Sequence, residues 1–146
     1  MTPEPANLRD RAQRYTAAWC SQNASVAAFY SPNGSLSING SPPAVGRSAI
    51  TEVAQGFMTA FPDLQMLMDD LVVQDDGAVY HWTLVGTKTG PGGTGQRVYI
   101  SGFEIWKMGV DGLIAESRGN FDSAAYQRQL ERGFGGIQVA IVHFIG

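Results

Sequence analysis

The sequence predicts an α+β fold, with a curved antiparallel sheet packed on three N-terminal helices. Three observations predict it. Apolar residues recur at helical spacing through the first sixty positions. From residue 64 the pattern changes to strands joined by tight turns. The 146 residues, 44% hydrophobic and 16% charged, suit one domain able to bury a core without metal or disulfide. The expected domain covers 1–146, with its core over 8–132.

Leu8, Ala12, Tyr15 and Trp19 define the apolar face of a first helix over 8–19, opposite Arg9, Asp10, Arg11 and Arg14, with Asn7 as N-cap. A short second helix over 25–30 ends at Ser31-Pro32-Asn33-Gly34, which reads as a turn before a brief strand over 35–38. A third helix follows Gly46, with Ser48 as its cap. Its stripe is Ile50, Val53, Ala54, Phe57, Met58 and Phe61, and Phe61-Pro62-Asp63 closes it. Strands are expected over 64–73, 78–87, 96–108 and 113–118. Asp76-Gly77 and Gly109-Val110-Asp111-Gly112 mark hairpins, making a meander. Residues 90–95 read as a flexible loop and a candidate for the pocket mouth. A helix over 123–132 is capped by Asp122, and residues 137–145 form a last apolar strand. Tyr80, Trp82 and Leu84 occupy one face of strand 78–87, and Val79, His81 and Val85 the other. Two apolar faces need two covers, so a homodimer through the outer sheet face is expected.

Composition excludes several function classes. The net charge of −3, without a basic stripe, argues against nucleic acid. No segment has the length of a membrane span, and the N-terminus is not a signal peptide, so no membrane partner and a cytoplasmic location are expected. The lone Cys20 reads as a small buried hydrophobe beside Trp19. No His/Cys/Asp/Glu cluster has metal-ligand spacing, so neither metal nor cofactor is expected.

The ordered set Gly46-Arg47-Ser48-Ala49-Ile50, Phe57 to Phe61-Pro62-Asp63, His81-Trp82-Thr83-Leu84-Val85-Gly86-Thr87, Gly112-Leu113-Ile114-Ala115-Glu116, Asp122 and Gln129-Leu130 resembles the SnoaL-like polyketide cyclases of the NTF2-like superfamily. The resemblance spans roughly residues 8–130. It implies an NTF2-like cone, a curved sheet wrapped on helices and open at one end around a small-molecule pocket. The sequence departs from the family pattern at Lys88 and Arg118 and in a tail over 133–146. Characterised cyclases of this family carry an acid/base carboxylate on the strand that Glu116 occupies here. The resemblance thus implies Glu116 as catalytic acid/base in an aldol cyclisation or related isomerisation of a small hydrophobic carbonyl compound. The other reading of Glu116 is a surface residue paired with Arg118.

His81 is the second catalytic candidate, to orient a carbonyl or shuttle a proton if its face is the concave one. Arg118 is Glu116's neighbour on the same strand face. Asp122 reads both as a second carboxylate and as a helix cap. Glu104, alternating with Gly102 and Trp106, suits a pocket or a surface equally. Tyr15, Trp19, Phe57, Phe61, Trp82 and Phe103 are candidates to line a cavity for a flat hydrophobic ligand. Two alternatives to an enzyme of this type are a non-catalytic ligand-binding or accessory protein, and an epoxide hydrolase using Glu116, Arg118 and Asp122 around a water.

Overall fold

The computed structural model describes residues 5–22 and 25–133. The apolar strand expected over 137–145 lies outside the described residues. Helix α1 (Pro5–Cys20) leads through a 3-10 turn (Ser25–Phe29) into β1 (Tyr30–Ile38), a two-residue β2 (Ala44–Val45) and helix α2 (Arg47–Ala60). Strands β3 (Gln65–Gln74), β4 (Gly77–Thr87), β5 (Arg97–Met108) and β6 (Ile114–Phe121) follow, and α3 (Ser123–Arg132) completes the described chain. The order across the sheet is β2-β1-β6-β5-β4-β3. From β3 to β6 it is the expected antiparallel meander. The sheet is nevertheless mixed, because β1 joins β6 in parallel.

That parallel pairing explains a difference at Ser31-Pro32-Asn33-Gly34. The tetrad is an irregularity inside β1 between Tyr30, opposite Ile114, and Ser35, opposite Glu116, rather than a turn before a strand. Gly34 is required there, since a Cβ would lie 2.8 Å from the Ile114 carbonyl oxygen. The start of α2 also differs from expectation. Gly46, at φ 89°, is the N-cap, and no side chain, Ser48 included, bonds the first turn. A positive φ costs glycine little and lets the chain swing into the helix. Arg47 Nε then ties that turn to β1 by donating to the Tyr30 carbonyl at 2.9 Å.

On β4 and β5 the even-numbered residues face the helices. Tyr80, Trp82, Leu84, Ile100, Glu104 and Trp106 are buried, while Tyr99, Ser101 and Lys107 are exposed. Two bulges break this alternation. On β3, Met68 pairs with Trp82 and Asp70 with His81, leaving Asp69 as the extra residue. On β6, Ile114 pairs with Met108 but Glu116 with Lys107, leaving Ala115 as the extra residue. One extra residue flips every later side chain on its strand to the other face. After it, Ser117 and Gly119 point inward and Glu116 and Arg118 outward. The buried apolar side chains of α1, α2 and the inner sheet face form one cluster.

Cys20 departs from the expected burial. It is exposed, with Sγ near the backbone of Met66: it accepts from the Met66 N–H and donates to the Met66 carbonyl, each at 3.3 Å.

Candidate functional site

The inner sheet face and the helices enclose a cavity of about 50 Å³. Its buried wall contains Trp19, Leu36, Met66, Trp82, Leu84 and Ile100, with Glu104 as the one ionisable group at that depth among the described residues. Ile38, Phe57, Phe121 and Tyr126, half-buried, complete the lining.

Glu104 is placed by strand alternation. It sits opposite Tyr80 on β4 and opposite Gly119 on β6, and it is only 6% exposed. A Cβ at Gly119 would meet Glu104 Cγ at 3.7 Å, an ordinary packing contact. Three donors converge on one carboxyl oxygen. The Tyr15 hydroxyl, the Trp106 indole Nε1 and the Ser117 hydroxyl each donate to Glu104 Oε1 at 2.9 Å. Tyr15 has one hydroxyl proton and gives it to Glu104, so in its 3.0 Å contact with Tyr30 the Tyr30 hydroxyl is the donor. Below the carboxyl, Tyr80 and Trp106 stack with centroids 4.8 Å apart, and Tyr15 meets both edge-on.

This arrangement differentiates the two carboxyl oxygens. Oε1 already accepts three hydrogen bonds, so a proton on Glu104 resides on Oε2. Burial raises the Glu104 pKa above the usual carboxylate value, against the lowering effect of the Trp106, Ser117 and Tyr15 hydrogen bonds. Burial, and then the Glu104 charge, also pushes the Tyr15 and Tyr30 hydroxyls well above their ordinary pKa, so both remain neutral donors. The result is a carboxyl anchored by one oxygen, in apolar surroundings, with a raised pKa. Such groups are candidates for proton transfer.

Two further polar atoms belong to the cavity-lining side chains. Trp19 Nε1 and Trp82 Nε1 are buried with no hydrogen-bond partner among the described residues. The Trp19 N–H is near the Tyr15 hydroxyl and is the smallest of the influences on it, opposing a rise in pKa caused chiefly by burial, yet it does not reach hydrogen-bond geometry. An unpaired buried donor costs on the order of 1–3 kcal/mol.

The expected site residues divide into three groups. Trp19, Trp82, Phe57 and Glu104 line the cavity. Tyr15 stands one layer behind, holding Glu104, and Phe61 is buried in the core against Gly86. The rest lie elsewhere. Glu116 and Arg118 are exposed on the outer face, paired at 3.9 Å, because the Ala115 bulge inverts the alternation that would have kept Glu116 on the face of Ile114. His81 and Phe103, paired across β4 and β5 with ring centroids 6.1 Å apart, are both on the outer face and do not line the cavity, since Tyr80, Trp82 and Glu104 take the inner face. Asp122 is the α3 N-cap, accepting from Ala125 N at 3.0 Å. Glu116, Arg118 and Asp122 therefore do not converge on the cavity. The 90–95 loop packs against the end of α2, with Gly90 N donating to Ala60 O at 3.2 Å, and none of it lines the cavity. Asp63 is structural: burial, the largest single influence, raises its pKa, but the hydrogen bonds from the Thr87 N–H and hydroxyl, with lesser help from its own backbone and the Arg97 charge, together outweigh burial and hold the carboxyl below the usual range.

Sequence reasoning left Glu104 undecided and missed Ser117 and Trp106 as its partners. The available signal was the Gly102–Glu104–Trp106 alternation, which places Glu104 on the same face as a tryptophan. Among the described residues, no group of three or more His, Cys, Asp or Glu side chains is placed to hold a metal ion, and no helix is long and apolar enough to cross a membrane.

A helix-backed curved sheet around an apolar cavity, with one polar anchor at its floor, defines a small-molecule-pocket scaffold. The chain belongs to the SnoaL-like polyketide cyclase family, whose profile matches residues 9–130. A search of the curated proteins finds no significant relative. Several solved structures share the fold. TsrD from Streptomyces laurentii is 22% identical, with a TM-score of 0.76 over 88% of this chain and 97% of that one. AclR, a candidate hydroxylase from Streptomyces galilaeus, is 23% identical, with a TM-score of 0.75 over 88% and 98%. SalBIII, an epoxide hydrolase/cyclase-like enzyme with a role in pyran ring formation in polyether salinomycin, is 16% identical, with a TM-score of 0.72 over 84% and 95%.

Proposed function

We propose that the protein is a cofactor-independent acid/base enzyme acting on a small hydrophobic carbonyl compound, by cyclase-type aldol closure or a related isomerisation. The observation that carries this reading is Glu104, a buried carboxyl in an apolar cavity with three donors on one oxygen and the other left for a ligand. In the aldol case, ionised Oε2 takes a proton from the carbon beside a carbonyl, leaving an enolate. The enolate carbon attacks a second carbonyl of the same molecule, forming a carbon–carbon bond and an alkoxide. Protonated Oε2 returns its proton to that alkoxide, which restores the starting enzyme. Isomerisation uses the first proton transfer and returns the proton to a different carbon.

A cavity of about 50 Å³ holds only a water or two, so a substrate enters by displacing lining side chains. Of the lining side chains, the half-buried Phe57, Phe121 and Tyr126 are the less tightly packed ones that such an entry would displace. The non-catalytic alternative draws on the same apolar lining and differs only in whether Glu104 exchanges protons with the ligand. The test is deuterium uptake at the methyl group of acetophenone in D₂O, followed by proton NMR. Exchange that is accelerated by the wild-type protein and lost in Glu104→Gln supports the enzyme. Binding without accelerated exchange supports the alternative. The homodimer is also a proposal: the outer sheet face exposes Leu67, Val72 and Tyr99 at 47%, 44% and 45%, and a second copy of the same face would cover them.

A further inference from the structure

The three tryptophans of the chain have different fates. Trp106 Nε1 donates to Glu104. Trp19 and Trp82 are 4% and 7% exposed, and their Nε1 atoms are the buried side-chain polar atoms left without a partner among the described residues. The surrounding buried groups are satisfied: Tyr15, Ser117, Thr83 and Tyr80 all have side-chain partners. An indole N–H can only donate, so it cannot satisfy itself by changing roles as a hydroxyl can. A native fold seldom leaves such a donor orphaned, and here both orphans belong to side chains lining the cavity that holds Glu104.

The position of Trp82 is built into the sheet. It pairs with Gly102 on β5, where a Cβ would lie 2.6 Å from Trp82 Cζ2. The missing side chain at 102 is what lets the Trp82 ring lie over β5. Phe121 braces the same ring, with centroids 6.0 Å apart. Trp19 is held edge-on between Tyr15 and Phe57, at 6.4 and 6.1 Å. Both indoles are packed in place before any ligand arrives, and a donor held in place needs no reorganisation when charge develops beside it.

We propose that the Trp82 and Trp19 indole N–H groups are the substrate's hydrogen-bond donors, each meeting an oxygen of a bound compound with two carbonyl groups. They select for oxygen in an otherwise apolar cavity, and they stabilise the enolate oxygen when Glu104 removes a proton. The identity of the ligand rests on the acid/base reading, but the binding test does not.

The experiment uses protein labelled with ¹⁵N at the indoles, the probe 1-phenylbutane-1,3-dione and its oxygen-free analogue butylbenzene. Single Trp→Phe variants assign the three indole signals. With the diketone, the Trp82 and Trp19 indole protons move downfield while Trp106, already bonded to Glu104, moves least. With butylbenzene neither moves downfield. Wild type prefers the diketone by at least about tenfold in Kd, roughly the worth of one hydrogen bond to a carbonyl oxygen. Trp82→Phe, which keeps a ring and loses the donor, erases most of that preference. The proposal is overturned if both probes shift the signals alike, if the diketone fails to bind, or if Trp82→Phe and Trp19→Phe keep the preference. It is also overturned if the free protein already shows both indoles at bonded positions, satisfied by fixed water. Where a variant does not fold, the wild-type spectra decide. Glu104→Gln keeps the diketone preference while losing proton exchange, so failure of the acid/base reading and failure of the indole donors give different results.

Discussion

Glu104 and Glu116 are two residues of one type on adjacent antiparallel strands, and the sheet puts them in opposite environments. Glu104 faces the helices, is 6% exposed and takes three hydrogen bonds on one oxygen. Glu116 faces outward, with its side chain 48% exposed and Arg118 3.9 Å away. The difference comes from a single residue, Ala115, inserted opposite the Lys107–Met108 step. Without that bulge, the alternation from Ile114 would turn Glu116 inward. The comparison teaches that the face of a carboxylate, more than its identity or its strand, decides whether its proton can be used.

The most severe way to break the comparison is to neutralise each carboxyl in turn. Glu104→Gln should lower proton exchange by roughly 10²- to 10⁴-fold, the usual contribution of a positioned acid/base, while Glu116→Gln leaves it unchanged. Equal losses measured by deuterium uptake would contradict the assignment. Next in size, Gly102→Ala should destabilise the fold by at least about 1–3 kcal/mol in denaturant unfolding, because its Cβ would fall 2.4 Å from the Asn120 carbonyl oxygen as well as against Trp82. Tyr15→Phe removes one donor from Oε1 and keeps the ring. It should cost about 1 kcal/mol and raise the Glu104 pKa further, moving the pH dependence of exchange to higher pH.

The linkage to stability has a definite sign. A folded-state pKa above the unfolded value means the native state binds the proton more tightly. The associated stability is therefore complete below the unfolded carboxylate pKa and is lost as pH rises through the raised Glu104 pKa. Relative to Glu104→Gln, wild type should lose stability over that rise, as followed by thermal unfolding at a series of pH values. The smallest effect belongs to the outer face. Arg118→Gln should change stability by no more than about 0.5 kcal/mol, since an exposed pair at 3.9 Å contributes little.

Much of the fold was legible because it depends on local pattern. The α1 stripe of Leu8, Ala12, Tyr15 and Trp19 is buried as its spacing requires, and Asp122 caps α3. The hairpin turns fall close to where Asp76-Gly77 and Asp111-Gly112 place them. The parallel β1–β6 pairing was not legible, since it joins segments about eighty residues apart and leaves no periodic trace. The site was half legible for the same reason. The aromatic wall followed from composition, and Trp19, Phe57 and Trp82 line it. A bulge has no sequence signature at Ile114-Ala115-Glu116, so simple alternation put Glu116 on the wrong face. The choice of Glu104 depends on Tyr15, Trp106 and Ser117 meeting from two strands and a helix, and only the assembled sheet reveals it.

The central claim is that Glu104 is a buried carboxyl whose proton stays on at a pH where ordinary glutamates have lost theirs. The most direct measurement is a pH titration of the carboxyl carbons by ¹³C NMR in protein labelled at its five glutamates. The account predicts that one signal titrates above the usual range, that this signal is absent in Glu104→Gln, and that Tyr15→Phe moves it higher still. All five glutamates titrating in the ordinary carboxylate range, or the elevated signal surviving in Glu104→Gln, would contradict it.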